Sequence, residues 1–234
     1  MTDQPHYSTA LIVGAGSGLS ASLARAFHAA GLGVALAARN IDKLADLCNE
    51  FGATAYTCDS SDAAQVKQLF ADLGRGIGIP DVVVYNASAR VRGPLVGLDP
   101  AEVERALAVS AYGGFLVAQE AARHMLPDGH GAILFTGASA SVKGYPQSSS
   151  FAMGKFALRG LAQSLARELA PQGIHVAHFV IDGAIRNPGR TEPPGQPDSM
   201  LDPDAIASSY VHVLMQPRSA WTWEVELRPW VEKF

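Results

Sequence analysis

Charge is scarce in this chain. Asp, Glu, Lys and Arg make up 17 % of its 234 residues, 18 cationic against 22 acidic, for a formal net charge of −4. No basic block breaks that balance, so neither nucleic acid nor an anionic membrane surface is expected as a partner. So low a charge content also argues against a long disordered tail. Cysteine is scarcer still. Cys48 and Cys58 have no metal-ligand spacing and no secretory context, so buried thiols are expected rather than a disulfide, and no metal site is expected. Long apolar runs are missing too: none approaches the roughly 18–20 residues of a membrane helix. The start, residues 1–6, has no basic stretch ahead of an apolar core, so no signal peptide is expected there. The expectation is a cytoplasmic protein without a membrane partner.

What is present is apolar and alternating. Hydrophobic residues reach 48 %, enough for a sizeable core, and the length suits one α/β domain over 1–234. Short β-type runs (9–13, 34–38, 54–58, 81–85, 132–136, 176–181 and 223–227) alternate with helix-type runs (19–30, 41–51, 63–73, 101–125, 151–169 and 203–215). The nearly all-apolar fourth strand is what burial on both faces requires. Such alternation implies a doubly wound parallel sheet of about seven strands, with helices on both faces. Segment 187–202 is dense in proline and glycine and reads as a mobile loop.

Two stretches point to a nucleotide. Gly14-Ala-Gly16-Ser17-Gly18-Leu19 lies between the first strand and the first helix, where backbone amides and a helix N-terminus can hold a pyrophosphate. A side chain there would block close approach of the phosphates; the competing reading is a tight strand-to-helix turn only. After the second strand comes Ala38-Arg39-Asn40. An acid at that point would bond ribose hydroxyls, whereas a guanidinium suits a 2′-phosphate, so NADP(H) is favoured over NAD(H). A solvated arginine opening a helix is the competing reading.

Taken together, the residues resemble the short-chain dehydrogenase/reductase family along nearly the whole chain. The resemblance rests on Gly14 and Gly18, Asp59 after strand three, Asn86-Ala-Ser after strand four, Gly144-x-Pro146, Lys155, Gly183 and Leu227-Arg-Pro-Trp. It implies a Rossmann-type fold, a nicotinamide cofactor along the carboxyl edge of the sheet, and hydride transfer with a carbonyl or alcohol. It carries cofactor contacts onto Gly14, Gly16, Ser17, Gly18, Leu19, Arg39, Asp59, Asn86, Lys155, Gly183 and Ile185. In the family, a tyrosine moves the proton, a lysine one turn later lowers its pKa and bonds the ribose, a serine holds the substrate oxygen, and an asparagine completes a relay. Here Phe151 stands at the tyrosine position, Ala138 at the serine, beside Ser139, and Ser110 at the asparagine; only Lys155 is unchanged. Ser20 also replaces a glycine of the loop.

Three side chains offer themselves as substitute catalytic groups: Tyr145 upstream of Phe151, Asp182 near the expected nicotinamide, where desolvation could raise a carboxyl, and Ser139, which would need an activating base. Each also has an ordinary structural reading. The resulting expectation is an NADP(H)-dependent oxidoreductase with an altered proton donor, acting on a small-molecule carbonyl or alcohol under a lid at 187–202. A catalytically silent nucleotide sensor or partner subunit, and a nonredox isomerase or lyase using Asp182, are the alternatives. The resemblance further implies a homodimer or homotetramer through helices 101–125 and 151–169, with Trp221, Trp223, Trp230 and Phe234 available for a second interface.

Overall fold

Strand β1 (Thr9–Val13) sends alternate side chains to opposite faces, so Ala10 and Ile12 join one core while Leu11 and Val13 join another. The computed structural model describes residues 5–232; most of segment 1–6 and Phe234 lie outside them. Strands β2 (Gly33–Ala38), β4 (Val82–Tyr85), β5 (Gly131–Thr136) and β6 (Ile174–Ile181) divide their side chains in the same way. With β3 (Thr54–Thr57) and β7 (Glu224–Leu227) they form one sheet in the order β3-β2-β1-β4-β5-β6-β7, every pair parallel. Helices α1 (Leu19–Ala29) and α7 (Pro203–Leu214) cover the first core, through Leu23, Phe27, Ile206 and Tyr210. Helices α3 (Ala63–Arg75), α5 (Gly113–Met125) and α6 (Ser149–Leu169) cover the second, through Phe70, Val117 and Leu158. The expected single-domain, doubly wound, seven-stranded fold is what forms. Among the described residues no helix is long and apolar enough to cross a membrane.

Sequence order reverses between β1 and β4, which opens a crevice at the carboxyl ends of those strands. Two helices depart from their sequence reading. The one read over 41–51 begins as a tighter 3₁₀ turn, Asp42–Leu44, because Asn40 Oδ1 accepts the Asp42 N–H at 2.9 Å; α2 proper is Ala45–Phe51. The one read over 101–125 is α4 (Pro100–Leu107), a π-helical stretch Ala108–Tyr112, and then α5. Side chains hold that wider turn open: the Tyr85 hydroxyl donates to the Val109 carbonyl, and Ser110 Oγ bonds the backbone of Ala89. Across from it, α6 approaches so closely that a Cβ on Gly154 would lie 2.7 Å from Ser110 Cβ. Neither device has a hydrophobic period, so neither shows in the sequence pattern. Both cysteines are free, with Cys58 buried as expected and Cys48 only half-buried.

Candidate active site

The crevice begins at the glycine loop. Gly14 has φ +85°, and a Cβ there would stand 2.4 Å from the Ala87 nitrogen, so only glycine lets the β1 and β4 loops touch. Ser20 secures the contact: its hydroxyl donates to the Gly14 carbonyl (3.2 Å) and accepts from Asn86 Nδ2 (2.7 Å). Helix α1 has Gly18 as its N-cap and no side-chain cap, leaving first-turn amides for an anion.

Two clefts meet along this edge. The first, about 550 Å³, runs from Gly14 past Asp59 to Arg39, Asn40 and Lys43. The Ser61 hydroxyl and backbone N–H hold the Asp59 carboxyl below its usual range, and Arg39 adds to the effect. The second, about 470 Å³, shares Asn86 and Ser88 with the first and reaches Gly18, Leu19, Ser139, Phe151, Lys155, Gly183 and Ile185. Lys155 is 3 % exposed there and donates from Nζ to the Thr136 carbonyl at 2.7 Å. Burial pushes its pKa down to about 8, so it keeps its charge at neutral pH. One turn earlier, the Phe151 ring lies 5.9 Å from Lys155 Nζ and 4.1 Å from Arg90 Cζ. The Ser139 hydroxyl has no protein partner among the described residues.

Other expected site residues are elsewhere. Gly16 and Ser17 line neither cleft. Tyr145 is half exposed and outside both. Asp182 is buried but is not the isolated carboxyl expected: it accepts from Lys143 Nζ at 2.9 Å and has the Arg228 guanidinium at 3.5 Å, with its side chain outside the cleft linings. Four basic residues that the sequence did not single out line the clefts: Lys43 in the first, and Arg90, Arg186 and Arg190 in the second. A signal existed for Lys43, which follows Arg39 closely on the strand-two side.

The turn carrying Ser139 is held from behind by a buried chain. His178 Nδ1 lies 3.1 Å from a Glu224 oxygen, its Nε2 lies 3.3 Å from Ser141 Oγ, and that oxygen accepts the Ala138 N–H at 3.1 Å. All partners are satisfied when His178 donates to Glu224 and accepts from the Ser141 hydroxyl. Arg159 binds Glu224 through two bonds of 2.6 and 2.8 Å. Burial works to raise Glu224, but the bonds and charges of Arg159 and His178 outweigh it and hold the carboxyl below its usual range.

A parallel sheet with a glycine loop under a bare helix N-terminus at its switch point belongs to the dinucleotide-binding α/β class. Within that class, residues 8–191 match the family described as short chain dehydrogenase, and the chain belongs to this family of oxidoreductases. Short chain aldehyde dehydrogenase 1 of Euphorbia lathyris is 33% identical over 178 residues, 71% of this chain but only 60% of that relative's length. A short-chain dehydrogenase from Rhodopseudomonas palustris superposes with a TM-score of 0.80 at 34% identity, covering 95% of this chain and 99% of its own. A metagenomic short-chain oxidoreductase solved in complex with NADP gives 0.84 at 26% identity, over 95% of this chain and 97% of its own.

Proposed function

We propose that the chain binds NADP(H) along the two joined clefts and transfers hydride between it and a carbonyl or alcohol, with an altered proton donor. The observation that carries this reading is the continuous track from Arg39 and Lys43, through the glycine loop, to buried Lys155. Arg39 and Lys43 suit a 2′-phosphate, and the end of β2 has no acid to repel it. Gly18, Leu19 and the α1 amides take the phosphates, Asp59 and Asn86 flank the adenosine and central parts, and Lys155 donates to the ribose beside Gly183 and Ile185. When bound, the nicotinamide supplies or accepts the hydride.

Phe151, at the family's tyrosine position, cannot exchange a proton. Of the three substitutes, only Ser139 lines the cleft, where its hydroxyl holds the substrate oxygen; Lys155 is the acidic group in the same cleft. General acid–base assistance is worth roughly 10²–10⁴ in rate, so losing the tyrosine slows the reaction without abolishing what positioning contributes. Segment 187–202 serves as a lid whose base is tied by Arg186 N–H to the Leu201 carbonyl (2.9 Å), Leu201 N–H to the Ala184 carbonyl (2.8 Å), and an Arg186–Asp202 ion pair (2.5 Å). The chain assembles as a homodimer or homotetramer through the exposed apolar face of Tyr112, Phe115, Met153 and Phe156.

Equilibrium titration tests the cofactor assignment. NADPH should bind tighter than NADH, and Arg39→Ala should erase most of the difference; equal affinities in the unaltered protein would overturn it. The silent-binder alternative is favoured by the absent tyrosine hydroxyl, and it predicts tight NADPH binding with no turnover. The nonredox alternative rests on Asp182, whose carboxylate is paired with Lys143 and Arg228 and whose side chain lies outside the cleft linings.

A further inference from the structure

We infer that the substrate carries a carboxylate and that Arg90 recognises it. This rests on the reading above and deepens it. The second cleft contains no Asp or Glu in its lining, yet Arg90, Lys155, Arg186 and Arg190 all border it. Some of that charge belongs to the cofactor end. Asn187 Cβ is 3.7 Å from where a Gly18 side chain would begin, Arg190 is paired with Asn187 through both backbone bonds, and Arg186 is held by Asp202. Lys155 donates to the Thr136 carbonyl and, on the reading above, to the ribose. Arg90 is left over, beside Phe151.

Arg90 is held in place from both sides. Ser110 Oγ accepts the Ala89 N–H at 3.0 Å and donates to the Ala89 carbonyl at 3.2 Å. Ser150 Oγ accepts the Val91 N–H at 3.1 Å and donates to the Val91 carbonyl at 2.7 Å. Both serines are at most 1 % exposed. The two backbone neighbours of Arg90 are thus fixed, and its guanidinium rests over the Phe151 ring. A ring supports the guanidinium face while leaving its N–H edge free, and no protein acceptor uses that edge among the described residues. A fork of N–H donors matches the two oxygens of a carboxylate. Two departures from the family pattern, Ser110 and Phe151, therefore serve one purpose: one fixes the backbone of the arginine, the other carries its head.

The test is calorimetric binding of pyruvate and benzoylformate against their methyl esters, with and without NADPH, and with inorganic phosphate as competitor. Each acid should bind roughly ten-fold or more tightly than its ester. Arg90→Gln should remove that preference and Arg90→Lys should leave part of it, with the NADPH Kd unchanged in both, while Arg190→Gln, at the cofactor end, should leave the acid–ester preference intact. Equal affinity for acid and ester, or a preference that survives Arg90→Gln, overturns the assignment. Phosphate competing as strongly as the acids overturns the carboxylate. Failure of NADPH to bind would count against the cofactor reading alone, since the acid–ester comparison can be made without it.

Discussion

At the scale of single residues, the chemistry turns on Phe151 and Lys155, one helical turn apart in the same cleft. Phe151→Tyr restores a hydroxyl beside the ammonium and should raise the rate of carbonyl reduction by about ten-fold or more, short of the roughly 10²–10⁴ available to a fully positioned general acid. Steady-state kinetics on the native substrate class reads the difference. Lys155→Ala should weaken NADPH binding by roughly ten-fold or more, the worth of a charge-assisted hydrogen bond. The charge on Lys155 is lost as pH rises through about 8, so NADPH affinity should fall on that alkaline limb and the limb should vanish in Lys155→Ala. Lys155 was legible in the sequence because its framework brackets it. Arg90 was not, since nothing along the chain tells that Ser110 and Ser150, distant in sequence, clamp its two neighbours. The pairing of Asp182 was not legible either, because a carboxyl after a strand does not announce Lys143 as its partner.

At the scale of elements, β6 and β7 share the buried chain from Glu224 through His178 to the Ser139 turn. Burial pushes the His178 imidazole down from 6.5 to about 4, against the pull of Glu224. Between those values the unfolded chain takes up a proton that the folded chain refuses. Stability from this residue is therefore complete above about pH 6.5 and is lost as pH falls toward 4, by at most about 3 kcal/mol. Urea denaturation across that range should show the decline, and His178→Gln should flatten part of it while lowering stability at neutral pH. The strands themselves were plain from apolar alternation. The π-helical break at Ala108–Tyr112 was hidden, because Tyr85 and Ser110 widen the turn through tertiary hydrogen bonds that leave the helical apolar spacing intact.

At the scale of the whole molecule, the sheet order brings the glycine loop after β1 and Asn86 after β4 together, and the exposed apolar face of Tyr112, Phe115, Met153 and Phe156 lines neither cleft. Assembly through that face should give a dimer or tetramer by sedimentation, and Phe156→Glu should lower the mass without changing the NADPH Kd; a monomer in the unaltered protein at micromolar concentration would contradict it. The claim that joins all three scales is that a cleft with phenylalanine in place of the tyrosine still moves hydride. Single-turnover mixing of the NADPH-loaded protein with keto acids, followed by nicotinamide absorbance, measures that step directly. The prediction is stoichiometric loss of the reduced cofactor with at least one keto acid, slower in Ser139→Ala and faster in Phe151→Tyr. Bound NADPH that stays fully reduced against every carbonyl compound, in the unaltered protein and in Phe151→Tyr alike, would contradict it.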